Sequence, residues 1–416
     1  MAQDKERGRS DACHRDRPGD AGLGQNPSAA QRSRAGARWA RRLLARSESY
    51  ASAPRSSPAD YCTRSKPLPD MSADPRTIRL RTVNLAEAQR CSRLFADLDY
   101  TQEPGYALEA AARVGARAEF VVVEDGSDAL GFASLRIKPI PLLGGGLAYL
   151  HGGPATRRVG ATNLDAISQA CLSAIARHCT SRKWTLRISA PVEHGASGAF
   201  DACYRDLRFK RSTSGGRTIV LELSPALEEL RASLAGKWRT DLRRGERGYL
   251  RVVGSSAPED LARLQPMLEG LAAKKRFGLV QDAEFFARAA RHALPDEPPP
   301  FVAHLAYAGD ALVGGHIGAF TGDTAVYLLG AVDAAGREAR AAFVLQWAVI
   351  EYARERGLTR YDLGGIDPHA NPDVHRFKAR MGGQEIDRPA VWEKPAGMIA
   401  PRVITAVEVL RNFRSR

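Results

Sequence analysis

The sequence is short of cysteine, of acidic residues and of long apolar runs, and each shortage removes a class of protein. Its six cysteines, at positions 13, 62, 91, 171, 179 and 203, include no CxxC pair. That spacing excludes a zinc ribbon and a disulfide-stapled secreted domain, and it makes Cys91, Cys171 and Cys179 small core residues of a reducing compartment. No stretch approaches the roughly 20 apolar residues of a membrane-spanning helix. Arg41-Arg42 is followed by LLARSESYASA rather than an apolar core, so export is not expected and the protein is expected in the cytoplasm. There is no GxGxxG after an early strand, no Walker lysine and no HExxH, which excludes the cofactors those motifs hold. His369 and His375, near Asp362, Asp367 and Asp373, lack a ligand spacing, so no metal is expected.

Acidic residues number 47 against 61 basic ones, a net charge of +14. Such an excess attracts phosphate-bearing molecules, nucleic acid or acidic membrane surfaces and says nothing about fold. Residues 1–70 are rich in Arg, Ser, Ala, Gly and Pro with no sustained period, too little apolar surface to offset chain entropy. They read either as a disordered basic tail or as sequence ahead of a true start at Met71. At the other end, residues 397–416 place Val403, Val407, Leu410 and Phe413 on one helical stripe among arginines, a pattern that fits core packing or a peripheral contact with the inner face of a membrane.

Beyond Met71 the pattern becomes a strand (77–82), a helix (85–98) and a hairpin (118–124 and 129–138) turning at EDGSD. A long helix over 163–178 leads into the strand WTLRISAP, and a second long helix over 340–356 leads, after Gly357, into the strand TRYDLGG. Three strands, 301–308, 311–320 and 324–332, precede that second helix, and Phe209-Lys210 and Phe377-Lys378 follow the two helix–strand units. This repeated order predicts an internal duplication: a first α/β domain over 71–217 and a second over 218–396, each a mostly antiparallel sheet with one βαβ unit. Ser224-Pro225 reads as the start of the helix LEELRASLAGKWRTDLRRGERG, and Gly144-Gly145-Gly146 as a turn.

The segment YDLGGIDPHANPDVHRFKARMGG, residues 361–383, carries the chemistry. It reads as a turn-rich loop in which Gly364-Gly365 lets a ligand approach a strand end and Arg376, Phe377, Lys378 and Arg380 offer an anion cradle beside an aromatic face. A second basic cluster, Lys237, Arg239, Arg243, Arg244 and Arg247, is spaced on helical faces. Asp362, Asp367 and His316 stand in segments where an amine proton acceptor is needed, with a substrate group or water as the alternative acceptor.

KWRTDLRRGERG, GAFTGDTAVYLLGAV, LQWAVIEYARERG and YDLGGIDPHANPDVHRFKARMGG, in that order, resemble the Fem-type (FemA/FemB/FemX) aminoacyltransferases and their GNAT-like relatives over residues 236–395. The resemblance implies two tandem GNAT-like domains with a cleft between them. It also implies transfer of an aminoacyl group from aminoacyl-tRNA to an amine of a phosphorylated peptidoglycan precursor or related cell-envelope acceptor, with no cofactor. By the same resemblance Lys378 contacts the acceptor phosphate or the reacting acyl centre, Phe377 accompanies it, and Arg239 with Arg243 binds substrate phosphate. The long coiled-coil arm of some relatives has no room here, and REARAA (337–342) lacks the glycines of an acetyl-CoA pyrophosphate loop. The rival enzyme reading is an N-acyltransferase using an acyl-thioester donor on an exopolysaccharide or envelope lipid. A rival of another class, a nucleic-acid-binding module, lacks aromatics interleaved with the cluster at 239–247. As a cleft residue, Lys378 should be removable with little change in thermal midpoint.

Overall fold

The computed structural model describes residues 78–140, 145–158, 165–192, 199–275 and 282–396. The basic tail and the amphipathic stretch at 397–416 lie outside the described residues. In chain order the first strands are β1 (Ile78–Val83), β2 (Arg117–Asp125), β3 (Asp128–Ile140), β4 (Gly145–His151), β5 (Trp184–Ser189) and β6 (Lys210–Thr213). The second set is β7 (Arg217–Glu222), β8 (Leu250–Ser255), β9 (Phe301–Ala308), β10 (Ala311–Thr321), β11 (Thr324–Val332), β12 (Arg360–Ile366) and β13 (Gln384–Asp387). The last strand, β14 (Val391–Lys394), returns to the first sheet and lies between β5 and β6.

Two seven-stranded sheets result, ordered β1-β2-β3-β4-β5-β14-β6 and β13-β7-β12-β11-β10-β9-β8. Each contains one parallel pair joined by a long helix: β4 and β5 by the helix Asp165–Ser181, β11 and β12 by the helix Ala341–Glu355. The duplicated order read from the sequence is therefore a duplicated topology. The helix Asp165–Ser181 buries Ile167, Cys171, Leu172, Ile175 and Cys179 against the first sheet, and burial pushes the Cys179 thiol up to about 12 and that of Cys171 higher still. These are inert packing groups.

Residues 391–394 fall within the range expected for the second domain, yet they complete the first sheet. Trp392 is buried in the first core and stacks on Tyr204 at 5.4 Å, while Glu393 pairs with Arg187 at 2.6 Å. The chain thus crosses between sheets twice, at 214–216 and at 388–390, and the two crossings run side by side: Arg388 N donates to Gly216 O at 2.7 Å. A Cβ on Gly215 would lie 1.9 Å from Arg388 O, so the approach requires glycine there. Away from the crossings, Tyr106 and Ala110 of the helix Pro104–Arg113 pack on Phe285 and Phe286 of the helix Ala283–Ala290, and Asp323 binds both Arg157 and Arg360 at 2.6 Å.

Local departures from the sequence reading have local causes. The helix expected over 85–98 stops at Ser92, where the chain turns to bury Phe95 in the cluster beneath β2 and β3. Gly145 and Gly146 open β4 rather than forming a turn. The helix after β7 is capped at Ala226, whose N–H donates to Glu229 Oε2 at 3.0 Å, because Ser224 is engaged with Glu222. The largest revision concerns the segment after β12, the strand expected at TRYDLGG: it is not a continuous loop but a short turn and the helix Pro372–Ala379. Proline at the first turn of that helix supplies a start the loop reading overlooked.

Candidate active site

The parallel pairs of the two sheets differ in one respect that creates a site. In the first sheet β4 and β5 stay in register from Gly146↔Trp184 to His151↔Ser189. In the second, β11 and β12 pair only at Thr324↔Arg360, Ala325↔Tyr361 and Val326↔Asp362, then separate. Each of the two strands carries an extra residue there. The register against β10 shifts at Leu328 of β11, and that against β7 shifts between Asp362 and Gly365 of β12. Such bulges bend strands and re-aim their side chains. Gly364 makes the bend possible: its φ is +75°, and a Cβ would sit 2.8 Å from Tyr327 O.

Lys378 of the helix Pro372–Ala379 fills the bend. Its Nζ donates to Gly365 O at 2.9 Å and to Gly364 O at 3.3 Å, and lies 5.2 Å from the Tyr327 ring centroid. The residue is only 7% exposed, and burial, against the opposing pull of Asp362 and with help from Arg388, lowers its ammonium to about 8. It is therefore cationic at neutral pH and close to releasing its proton. Asp362 holds this arrangement from below. Its Oδ1 accepts from Thr218 Oγ1 and from Gly364 N at 2.8 Å, and its Oδ2 accepts from Arg388 Nη2 at 2.9 Å. With both oxygens engaged, Asp362 orients the bend and the two cations.

The remaining sequence-selected residues take other places. Phe377 packs in an aromatic trio with Trp238 and Phe343, centroids 5.9 and 5.3 Å away, which seats its helix on the helices Gly236–Glu246 and Ala341–Glu355. Arg376 is exposed beside Asp373 at 3.5 Å. Arg239 donates to Ala232 O at 2.6 Å, and the exposed Arg243 to Arg239 O at 3.4 Å. Gly364 is buried and Gly365 exposed. Asp367 caps the turn at 367–370, accepting from the N–H groups of His369 and Ala370. Lys378, Asp362, Gly364 and Gly365 are thus one cluster, while Arg239, Arg243 and Arg376 bond elsewhere. Thr218, Tyr327 and Arg388 complete the cluster without any local sequence signal, since each arrives from a separate strand or crossing.

His316 lies inside the second sheet, directly opposite His304, and the two residues are 1% and 3% exposed. His316 Nε2 meets Tyr361 OH at 3.3 Å, and neither Nδ1 has a partner. Burial lowers His304 to about 4 and His316 well below its ordinary value. Folded pKa values below the unfolded ~6.5 mean that the unfolded chain binds more protons, so stability present above pH 6.5 is lost as pH falls toward 4. His304→Phe, which also removes an unpartnered nitrogen, should flatten that decline. Urea midpoints at pH 7.5 and pH 5 measure it, and an equal fall in variant and wild type would exclude this pair as its origin.

Where the sheets meet, Asp99 and Tyr100 from the first domain and Val220, Val326 and Asp362 from the second line a cavity of about 30 Å³, the room of a water molecule. Among the described residues no helix is long and apolar enough to cross a membrane.

Residues 232–378 match the model of the acetyltransferase (GNAT) domain. No curated protein sequence matches the chain. Among solved structures the chain is similar to FemX, with a TM-score of 0.66 and 16% identity over 78% of this chain and 98% of that one. It is less similar to the C-terminal domain of a putative lysylphosphatidylglycerol synthetase from Agrobacterium fabrum (TM-score 0.48, 11% identity, 79% and 96% covered). A tandem GNAT protein from the clavulanic acid biosynthesis pathway is further off (TM-score 0.41, 14% identity, 77% and 99% covered). The second sheet lies largely within the matched acetyltransferase (GNAT) domain and the first repeats its topology, which supports an acyltransferase. The fold as a whole is similar to that of FemX, as the resemblance of the segments at 236–395 implied.

Proposed function

We propose that this acyltransferase moves an aminoacyl group from aminoacyl-tRNA to an amine of a peptidoglycan precursor or related phosphorylated cell-envelope acceptor. The observation that carries the reading is the Lys378 ammonium held at the bend where β11 and β12 part, in a chain that shares its fold with nearly the whole of FemX. The amine attacks the ester carbonyl, a tetrahedral oxyanion forms, and the alcohol departs as the C–O bond breaks. A cation preorganised in a mostly dry site stabilises that oxyanion at no further reorganisation cost. Asp362 and Arg388 position the lysine.

The start of the helix Ala341–Glu355 supports an ester donor over acyl-CoA. Arg340 precedes it at a φ of +61° and pairs with Asp241 at 3.2 Å, and its carbonyl accepts from the N–H groups of Phe343 and Val344. Of the first-turn N–H groups, that of Phe343 is thereby occupied, Val344 making the ordinary i→i−4 bond, and no glycine lies in 337–342 to shape a pyrophosphate loop. The GNAT-domain match keeps an acyl-thioester donor as the second reading. A transfer assay offering radiolabelled aminoacyl-tRNA and acyl-CoA separately to envelope-precursor amines distinguishes them. Label should move from the tRNA ester; transfer only from the thioester would overturn the proposed donor.

A further inference from the structure

The loop HGGPA at the end of β4 is absorbed by nothing above, and its histidine is set up with unusual completeness. His151 Nδ1 lies 2.7 Å from Ser189 Oγ and 3.3 Å from Tyr149 OH. The His151 carbonyl accepts from Thr101 Oγ1 at 2.7 Å and Gln102 Nε2 at 2.6 Å, which fixes the backbone under the ring. The ring itself stacks on Tyr149, centroids 5.7 Å apart at 20°, and Arg136 lies over the Tyr149 ring at 4.6 Å. Ser189 Oγ also accepts from Gly152 N at 3.3 Å, and a hydroxyl has two acceptor lone pairs. It can take both that N–H and a proton-bearing Nδ1. Nε2 has no hydrogen-bond partner among the described residues and is not among the sealed, unpartnered atoms of the core, so it reaches solvent.

His151 shares neighbours with the reaction centre. Thr101 and Gln102, which hold His151, directly follow Asp99 and Tyr100, and those two line the junction cavity with Asp362. Arg388, bound to Asp362, acts electrostatically on both His151 and Lys378. Burial lowers the His151 imidazole from its ordinary value, with Asp99 opposing and Arg136 and Arg388 reinforcing, so the ring is neutral at pH 7.5.

We infer that His151 is a catalytic residue of the transfer, its Nδ1–H anchored on Ser189 and its Nε2 accepting the acceptor amine's proton from the first-domain side of the junction. This rests on the acyl-transfer reading above. As the N–C bond to the carbonyl carbon forms, Nε2 takes the proton the nitrogen sheds; as the C–O bond breaks, it returns that proton to the oxygen of the departing alcohol. The ledger of atoms is closed: amine plus ester gives amide plus alcohol. Ser189 and Tyr149 are positioning residues.

Two measurements on the full chain test this. In ¹⁵N-histidine-labelled protein at pH 7.5, the His151 ring should show a protonated Nδ1 and a bare Nε2; the opposite tautomer or an imidazolium overturns the inference whatever the donor proves to be. In the transfer assay His151→Ala should lose about a hundredfold or more in kcat, and added imidazole should recover at least tenfold of it. His151→Gln, which preserves bulk, should match wild type in urea midpoint yet stay inactive. Full activity in His151→Ala, or a loss imidazole does not touch, overturns the inference. A wild type inactive with both donors overturns the proposed function, and the ring tautomer then decides for His151 alone.

Discussion

Lys378→Ala is expected to lower transfer by about a hundredfold or more, the scale of one lost oxyanion stabiliser, and to lower stability as well. The second effect departs from the expectation that a cleft lysine is dispensable to the fold. Lys378 is buried, and its ammonium satisfies the carbonyls of Gly364 and Gly365. Gly364 O keeps the Thr218 hydroxyl at 3.0 Å and Gly365 is exposed, so the loss comes from emptying the space of the buried stem, on the scale of about 2–5 kcal/mol for a buried Met→Ala change. Lys378→Met separates the two effects, since it removes the ammonium as the alanine variant does but keeps a buried aliphatic stem. Its urea midpoint should stay near wild type while its transfer rate falls as far as that of the alanine variant. An active methionine variant would make Phe377-Lys378 a packing element and nothing more.

Asp362→Ala should be the most destabilising single change at the site. It strands Arg388, removes the acceptor of Gly364 N–H and one of the two acceptors of Thr218, and leaves Lys378 without the carboxylate that offsets its burial. Removing one partner of a buried pair costs about 3–5 kcal/mol; because the Arg388 side chain is 25% exposed, the lower end applies. Asp362→Asn keeps an acceptor for Gly364 N and should lose less. In that variant the lysine, deprived of its anion, should titrate below its wild-type value of about 8. Denaturant titration gives the first quantity and the Lys378 side-chain ¹⁵N shift against pH the second; an unshifted lysine would show that Asp362 does not set its charge.

The strands and long helices were legible because their signals are periodic and local. Runs of strand-forming residues on either side of the turn EDGSD mark 118–124 and 129–138, and helical spacing marks the segments that pack on each parallel pair. The duplicated order was legible for the same reason. The return of β14 to the first sheet was not, because VWEK has the pattern of any edge strand and only Trp392 in the first core explains its place. At the site, Gly364-Gly365 and Lys378 could be read from their segment, though as a loop. Arg388, Thr218 and Tyr327 could not, since strand register and two side-by-side crossings, rather than sequence proximity, bring them to one junction.

The pH dependence of single-turnover transfer tests the role of Lys378 most directly. If the protonated ammonium stabilises the developing oxyanion, the wild-type rate falls above about pH 8, where that group loses its proton. Lys378→Arg, slower at neutral pH because a planar fork replaces a point charge, shows no such fall up to pH 10. A descending limb common to wild type and the arginine variant, or a flat wild-type profile across pH 8, would contradict the assignment of Lys378 to the reaction centre.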